Sequence, residues 1–249
     1  MRRLCLQFRS YDCNRHNRTL FGLLMKKIRR HIAVALSILG LIMPLTARAE
    51  TTGNEIIDEY ISTCLSEEQQ KIFTKEFTDT LLTKCAEYDI NPWFAMAIME
   101  YESSFNPDAV ASDNAHLGLM QLSTYYFTDD ITSLCPRDKN SSWEAGFFDA
   151  VANETVGIRY LAKLRDNSEK YRSVKNSNLD YPTEYFIAMS YNEGEGNILE
   201  NYRSEEVGSY ATNVVNTMVA NEKNFGSFDL DKYRQEHAYS ILNDIYYTR

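Results

Sequence analysis

The chain has 249 residues, with 26 Lys+Arg against 35 Asp+Glu, a net charge of −9 and 44% hydrophobic residues. Ten of the basic residues but only one acidic residue precede Glu50, so the remainder carries 16 basic and 34 acidic side chains, net −18. That acidity argues against a nucleic-acid partner and against passive adhesion to anionic polymers, both of which favour basic surfaces. Beyond Glu50 the only histidines are His116 and His237, and no Cys-x-x-Cys occurs. No metal site is therefore expected. No Gly-rich phosphate loop, Ser-His-Asp signature or internal repeat is visible, so no cofactor is expected either.

In chain order, residues 1–24 are Arg-rich and fit no targeting design, which makes Met25 the expected start. Lys26-Lys27-Ile28-Arg29-Arg30 is a positive run, Ile32 to Leu45 is apolar with one Ser, and Ala47-Arg48-Ala49 is a small-x-small site. Together they predict a signal peptide over 25–49, cut before Glu50, and export across the cytoplasmic membrane to the periplasm, cell wall or exterior. The apolar run is short for a membrane span, and a retained anchor is the alternative. No Cys follows it closely, so a lipoprotein is not expected.

The remaining 200 residues suit a single core. The division expected is an N-terminal helical segment over 50–88, a main domain over 89–224 and a packing tail over 225–249. Helices are expected at about Glu55 to Cys64 and Glu67 to Tyr88. Cys64, Cys85 and Cys135 predict one disulfide and one free thiol in an oxidising compartment. If the first two helices run antiparallel, about 18 helical residues separate Cys85 from the turn by some 27 Å, too far for Cys64. Of three possible pairings, Cys85 with Cys135 is favoured.

Asn91 is a good N-cap and Pro92 suits a first helical turn. The segment to Glu102 is therefore a helix, rich in Ala, Met and Ile. Ala95, Ile98 and Glu102 share one face, with Phe105 just beyond. Glu102 thus ends an apolar stripe, where lost hydration raises a carboxyl pKa and suits a general acid. Glu100 lies about 200° around the helix and faces elsewhere. The plain alternative for Glu102 is a solvated boundary residue.

Next come Ser112 to Gln121, Ser-Asp-Asn-Ala-His-Leu-Gly-Leu-Met-Gln. Gly118 suits a turn or the close approach of backbone to a ligand. The Gln121 amide suits sugar hydroxyls. Phe127 to Ser142 is expected as a loop and Glu144 to Arg165 as an amphipathic helix with Val156, Tyr160 and Leu164 on one face. Pro182 to Asn192 is a helix stopped by glycines; the plain reading is punctuation, and the sharper one has Tyr191 giving its hydroxyl to Glu102 and Asn192 buttressing the loop. Ser204 to Asn221 is another helix, with Val207, Tyr210, Val214 and Met218 on its apolar face. The tail from Phe225, with Tyr233, Tyr239, Tyr246 and Tyr247, is expected to close on the core.

Glu102-Ser103-Ser104-Phe105-Asn106-Pro107, Gly118-Leu119-Met120-Gln121, Asn153-x-x-x-Gly157-x-x-Tyr160-Leu161 and Ser190-Tyr191-Asn192-Glu193-Gly194 occur in this order. Their wording and spacing resemble the lytic transglycosylases of the goose-lysozyme-like superfamily, over about residues 89 to 220. The resemblance implies a mainly α, lysozyme-like domain with at most a small hairpin in the 106–120 region. It implies Glu102 as the sole catalytic acid and base, Met120 and Gln121 against the glycan, and Tyr191 orienting the acid. Ser103 and Ser112 join the expected substrate-binding set, although Ala111 lengthens the loop by one residue and competes with Ser112 for its slot. Ala115-His116 replaces the family's usual Gly-Ala. The substrate implied is peptidoglycan, the product a 1,6-anhydro-muramic end. The protein is expected to be a monomer and to serve wall growth, recycling, or a secretion or conjugation apparatus.

Two rivals remain on the residues alone. A true lysozyme would need a second carboxylate, for which Asp108 and Asp113 are the candidates. A wall-binding or assembly protein with a dead site would lack the Glu, which is present as Glu102.

Overall fold

The computed structural model describes residues 54–135, 142, 144–174, 182–194 and 205–238, with side chains left out at 169–174 and 205–207. Contacts divide the chain into Met1–Arg48 and Ala49–Arg249, and the description concerns the second unit. Its helices are α1 (Glu55–Cys64), α2 (Glu67–Gln70), α3 (Lys75–Tyr88), α4 (Pro92–Ser103), α5 (Thr124–Leu134), α6 (Ala150–Val174), α7 (Thr183–Glu193), α8 (Glu205–Phe225) and α9 (Leu230–Glu236). A two-residue hairpin, β1 (His116–Leu117) and β2 (Leu122–Ser123), pairs antiparallel with His116 opposite Ser123. The fold is mainly α with one small sheet, as the resemblance implied.

Local chemistry sets most boundaries. The Asn91 side chain accepts from the Trp93 N–H at 2.9 Å, and Pro92 opens α4 at no cost in hydrogen bonds. From Pro92 to Met99 every side chain is buried, so α4 is the central helix rather than an amphipathic one. Trp93 anchors it. Its ring meets Tyr60, Phe225 and Phe228 at centroid distances of 5.3, 5.9 and 5.1 Å, and its N–H donates to the Gly226 carbonyl at 2.8 Å. Both ends of the unit are thus tied to one indole, an aromatic cluster whose burial outweighs its few polar contacts.

The expected helix from Glu67 to Tyr88 is two helices. Ser66 caps α2 in a capping box with Gln69, and Thr74 caps α3 through the Phe77 N–H. Two internal N-caps beat continuous helix propensity. The 127–142 loop is also corrected. Thr124–Leu134 is helical because Ile131 is buried and Phe127 packs on Tyr160 at 5.0 Å. The 144–165 helix begins later, after a 3-10 turn at Ala145–Phe148. The tail closes with α9, where the Tyr233 hydroxyl shares a hydrogen bond with Thr83 at 3.2 Å and Arg234 donates to the Ala86 carbonyl at 2.6 Å. Tyr239, Tyr246 and Tyr247 lie outside the described residues.

Cys85 and Cys135 are both free thiols, which overturns the expected Cys85–Cys135 bridge. Cys85 is sealed inside the core at α3, whereas Cys135 is only partly buried, its Cβ packed close to Gly146. Beside Cys85 lies Glu154, fully buried with both carboxyl oxygens unpartnered. Burial pushes its carboxyl well above the usual range, and Asp149 adds to the rise. A group raised in the folded state contributes its full stability below its unfolded pKa and loses it as pH climbs. Glu154→Met should therefore raise the melting temperature by about 3 °C or more at pH 8 and by clearly less at pH 4. A gain equal at both pH values, read by scanning calorimetry, would show that the carboxyl is not held neutral.

Candidate active site

Glu102 sits in the last turn of α4, partly buried. The chain then turns sharply: Ser104 and Phe105 both take the left-handed conformation, with φ of 55° and 60°. Such backbone is uncommon for residues other than glycine and persists only where surroundings impose it. Here Phe105 is buried against Phe73 at 5.4 Å, and Gln69 donates from α2 to the Ser104 carbonyl at 3.1 Å. The turn thus ends α4 at the acid and sends the chain into the 106–121 loop.

The carboxyl of Glu102 accepts a 2.5 Å hydrogen bond on Oε1 from the Tyr210 hydroxyl of α8. Burial pushes its pKa up to about 7, and the Tyr210 bond opposes part of that rise. A carboxylic acid with its pKa raised toward neutrality can both give and take a proton. Glu100 is exposed and separated from it, as the helix geometry requires.

Tyr191 does not make the bond expected of it. Its hydroxyl donates to the Met120 carbonyl at 2.6 Å. Burial raises its own pKa, with Glu102 the next cause, so the ring lies close to the acid without holding it. Tyr210 takes that place because α8 packs against both α4 and α7. The sequence placed Tyr210 only on an apolar helix face. The usable signal was that a tyrosine on a buried stripe needs a partner for its hydroxyl.

The Gly118–Gln121 loop lies beside Tyr191, and Asn153 of α6 holds it. The buried Asn153 amide accepts from the Met120 N–H at 2.8 Å and donates to the Leu117 and Phe147 carbonyls at 3.2 and 2.8 Å. Gly118, at φ 78°, is pressed so close that an added Cβ would lie 2.0 Å from the Phe147 carbonyl. The glycine therefore serves approach to the protein's own backbone rather than to a ligand. Gly157 does the same for Met120, whose sulfur would lie 2.2 Å from an added Cβ.

The Met120 side chain is fully buried against Gly157 of α6. Gln121, at φ 48°, donates from Nε2 to the Gly118 and Ala109 carbonyls at 2.8 and 3.1 Å. Its Oε1 has no hydrogen bond among the described residues. The Ser103 hydroxyl donates to the Met99 carbonyl at 3.1 Å and accepts from the Asn106 N–H at 3.2 Å, so it shapes the turn after the acid. Ser112 is exposed in the loop. Asn192 is exposed, with no side-chain hydrogen bond among the described residues, and buttresses none of them; it lies on the solvent side of the last turn of α7. Asp113 is engaged by the Ala115 N–H at 2.9 Å and by His116 at 3.1 Å; the first of these chiefly holds its carboxyl below the usual range. Among the described residues no group of three His, Cys, Asp or Glu could hold a metal.

A partly buried, tyrosine-bonded carboxyl, with Tyr191 beside it bonded to a glycine-locked loop, has the chemistry for acid–base work. The family model of the transglycosylase SLT domain matches residues 81–213, more than half the chain. The chain belongs to this family. Its members are peptidoglycan-cleaving lyases, and this protein is a lytic transglycosylase. The matched span runs from α3 to the first half of α8 and so contains Glu102, Asn153, Tyr191 and Tyr210.

The two tyrosines are separable by experiment. Tyr210→Phe removes a bond that favours the ionised carboxyl, so the Glu102 pKa should rise and the alkaline limb of the pH–rate profile should move upward from about 7. Turnover at the optimum should fall about 5- to 150-fold. Tyr191→Phe should instead leave the limb in place and lower the melting temperature by about 2–10 °C, because the Met120 carbonyl loses its donor. A pH shift in the Tyr191→Phe variant alone would reverse the two roles.

Proposed function

We propose that this transglycosylase acts through Glu102 alone. The observation that carries the reading is that Glu102 has the neutral Tyr210 hydroxyl as its hydrogen-bond partner and that burial raises its pKa, the Tyr210 bond opposing the rise and no second carboxylate among the described residues adding to it. A partner carboxylate about 5 Å away, as a retaining glycosidase requires, would push it up by like-charge repulsion. Asp113 is committed to its own turn, and Asp108 is exposed.

In this mechanism the Glu102 carboxyl, with Oε1 bonded to Tyr210, gives its proton to the glycosidic oxygen between N-acetylmuramic acid and N-acetylglucosamine. The C1–O bond breaks and the muramic acetamide shields the developing cation. The carboxylate then takes the proton of the sugar's own 6-hydroxyl, whose oxygen attacks C1. A 1,6-anhydro end forms, Glu102 is again protonated, and no water is consumed. Gln121 Oε1 is available to fix a sugar hydroxyl or acetamide N–H.

Purified sacculi digested with the protein should release fragments lighter by one water than the hydrolytic products, as mass spectrometry reads directly. Glu102→Gln should cut that release by at least about 100-fold while the protein stays folded, with Glu100→Gln near wild type. More than about a tenth of wild-type rate in Glu102→Gln, or products of hydrolytic mass, would refute the single-acid mechanism.

Export is proposed on the basic run, apolar run and Ala47-Arg48-Ala49. N-terminal sequencing of protein recovered outside the cytoplasm should begin at Glu50. Recovery only from the cytoplasm would reject it.

A further inference from the structure

The first turn of α5 carries the two most exposed large aromatic side chains among the described residues. Tyr125 is 83% and Tyr126 73% accessible, and their rings meet edge to face at 4.8 Å. Neither ring anchors the helix. That is done by Ile131, which is buried, and by Phe127, which packs on Tyr160. Two large rings held side by side in water are unfavourable unless something covers them.

Their position ties them to the cleft. The Thr124 N–H donates to the Ala115 carbonyl at 2.8 Å, so this turn continues the hairpin strand that begins just after Gln121. From Phe127 a ladder of rings leads to Tyr160 and then, at 5.6 Å, to Tyr191, whose hydroxyl holds Met120. The exposed pair therefore follows directly on the hairpin strand that closes the Gly118–Gln121 loop, the loop bonded to Tyr191 beside Glu102.

Charge selects the occupant. The helix α5 has no Lys or Arg, and it carries Asp129 and Asp130, the latter paired with Arg159 at 2.6 Å. Anionic lipid and nucleic acid both call for basic residues, so neither suits this face. Uncharged sugar rings do: their C–H faces lie on tyrosine rings, and the phenol hydroxyls meet sugar hydroxyls and acetamides.

We propose that Tyr125 and Tyr126 form a sugar-stacking platform on which the glycan strand continues beyond the cleft. The platform rests on the glycan-cleft reading above. It makes the protein sensitive to strand length, since only a strand long enough to leave the cleft reaches the rim.

The test uses the full chain, a Tyr125→Ser/Tyr126→Ser double variant, and Val219→Ser as a control at an exposed site on α8. Binding of neutral N-acetylglucosamine dimers and hexamers is measured by calorimetry, and sedimentation with anionic lipid vesicles runs in parallel. The wild type should bind the hexamer more tightly than the dimer. The double variant should lose about ten-fold in hexamer affinity and most of the length dependence, with its melting temperature within about 2 °C of wild type. The control should match wild type. Equal hexamer affinity in wild type and double variant, no hexamer binding by wild type, or loss of vesicle binding in place of sugar binding would each overturn the platform. Anhydro-product analysis of sacculi separates the readings. Intact length dependence without anhydro products counts against the mechanism alone, and anhydro products without length dependence count against the platform alone.

Discussion

The hydrogen bond from Tyr210 to Glu102 is the constraint around which the site is arranged. A carboxyl at the end of a helix whose first eight residues are buried is driven toward its neutral form, and a donor that favours the ionised form opposes this. The phenol supplies a counterweight from another helix without adding a charge. That requires α8 to lie across the end of α4, and α8 packs there and on α7. The position of one hydroxyl therefore depends on the main helix packing of the unit.

The Gly118–Gln121 loop solves a different problem. A loop with two left-handed residues and no helix of its own needs its backbone groups paired. Asn153 does this from within the core, using its oxygen and both amide hydrogens on the Leu117–Met120 segment and the Phe147 turn. Gly118 and Gly157 permit the approach. Tyr191 adds a donor to the Met120 carbonyl from α7. The loop is thus rigid where it meets the core, and Gln121 Oε1 at its edge has no hydrogen bond among the described residues. The acid and the loop are bonded from different helices, α8 for Glu102 and α6 and α7 for Met120.

Stability and activity pull against each other in this arrangement. Glu102, partly buried, and Glu154, fully buried, are carboxyls whose folded-state pKa values are raised. Each therefore withdraws stability as pH rises above the ordinary carboxyl range. For Glu102 that loss accompanies an acid tuned near neutrality. Glu154, with both oxygens unpartnered beside Cys85, has no such role in the mechanism.

Much of this was legible in the sequence where the signal is local. Asn91-Pro92 marked the start of α4, the apolar spacing of Ala95 and Ile98 placed Glu102 at the end of a stripe, and four short motifs named the family and its mainly α fold. Local chemistry also misled. Internal N-caps split Glu67 to Tyr88, and the polar run after Phe127 hid α5, whose stability comes from Ile131 and Phe127 against other elements. The partners of the side chains were decided by tertiary structure alone. Tyr191 and Tyr210 have the same chemistry and both lie near the acid, and nothing in their own neighbourhoods tells which hydroxyl reaches it. The crossing of α8 over α4 assigns Glu102 to Tyr210, and the Asn153 clamp puts the Met120 carbonyl within reach of Tyr191. Sequence determines which groups exist and on which helix face they stand, whereas a hydrogen bond between residues 108 apart is a property of how the helices meet.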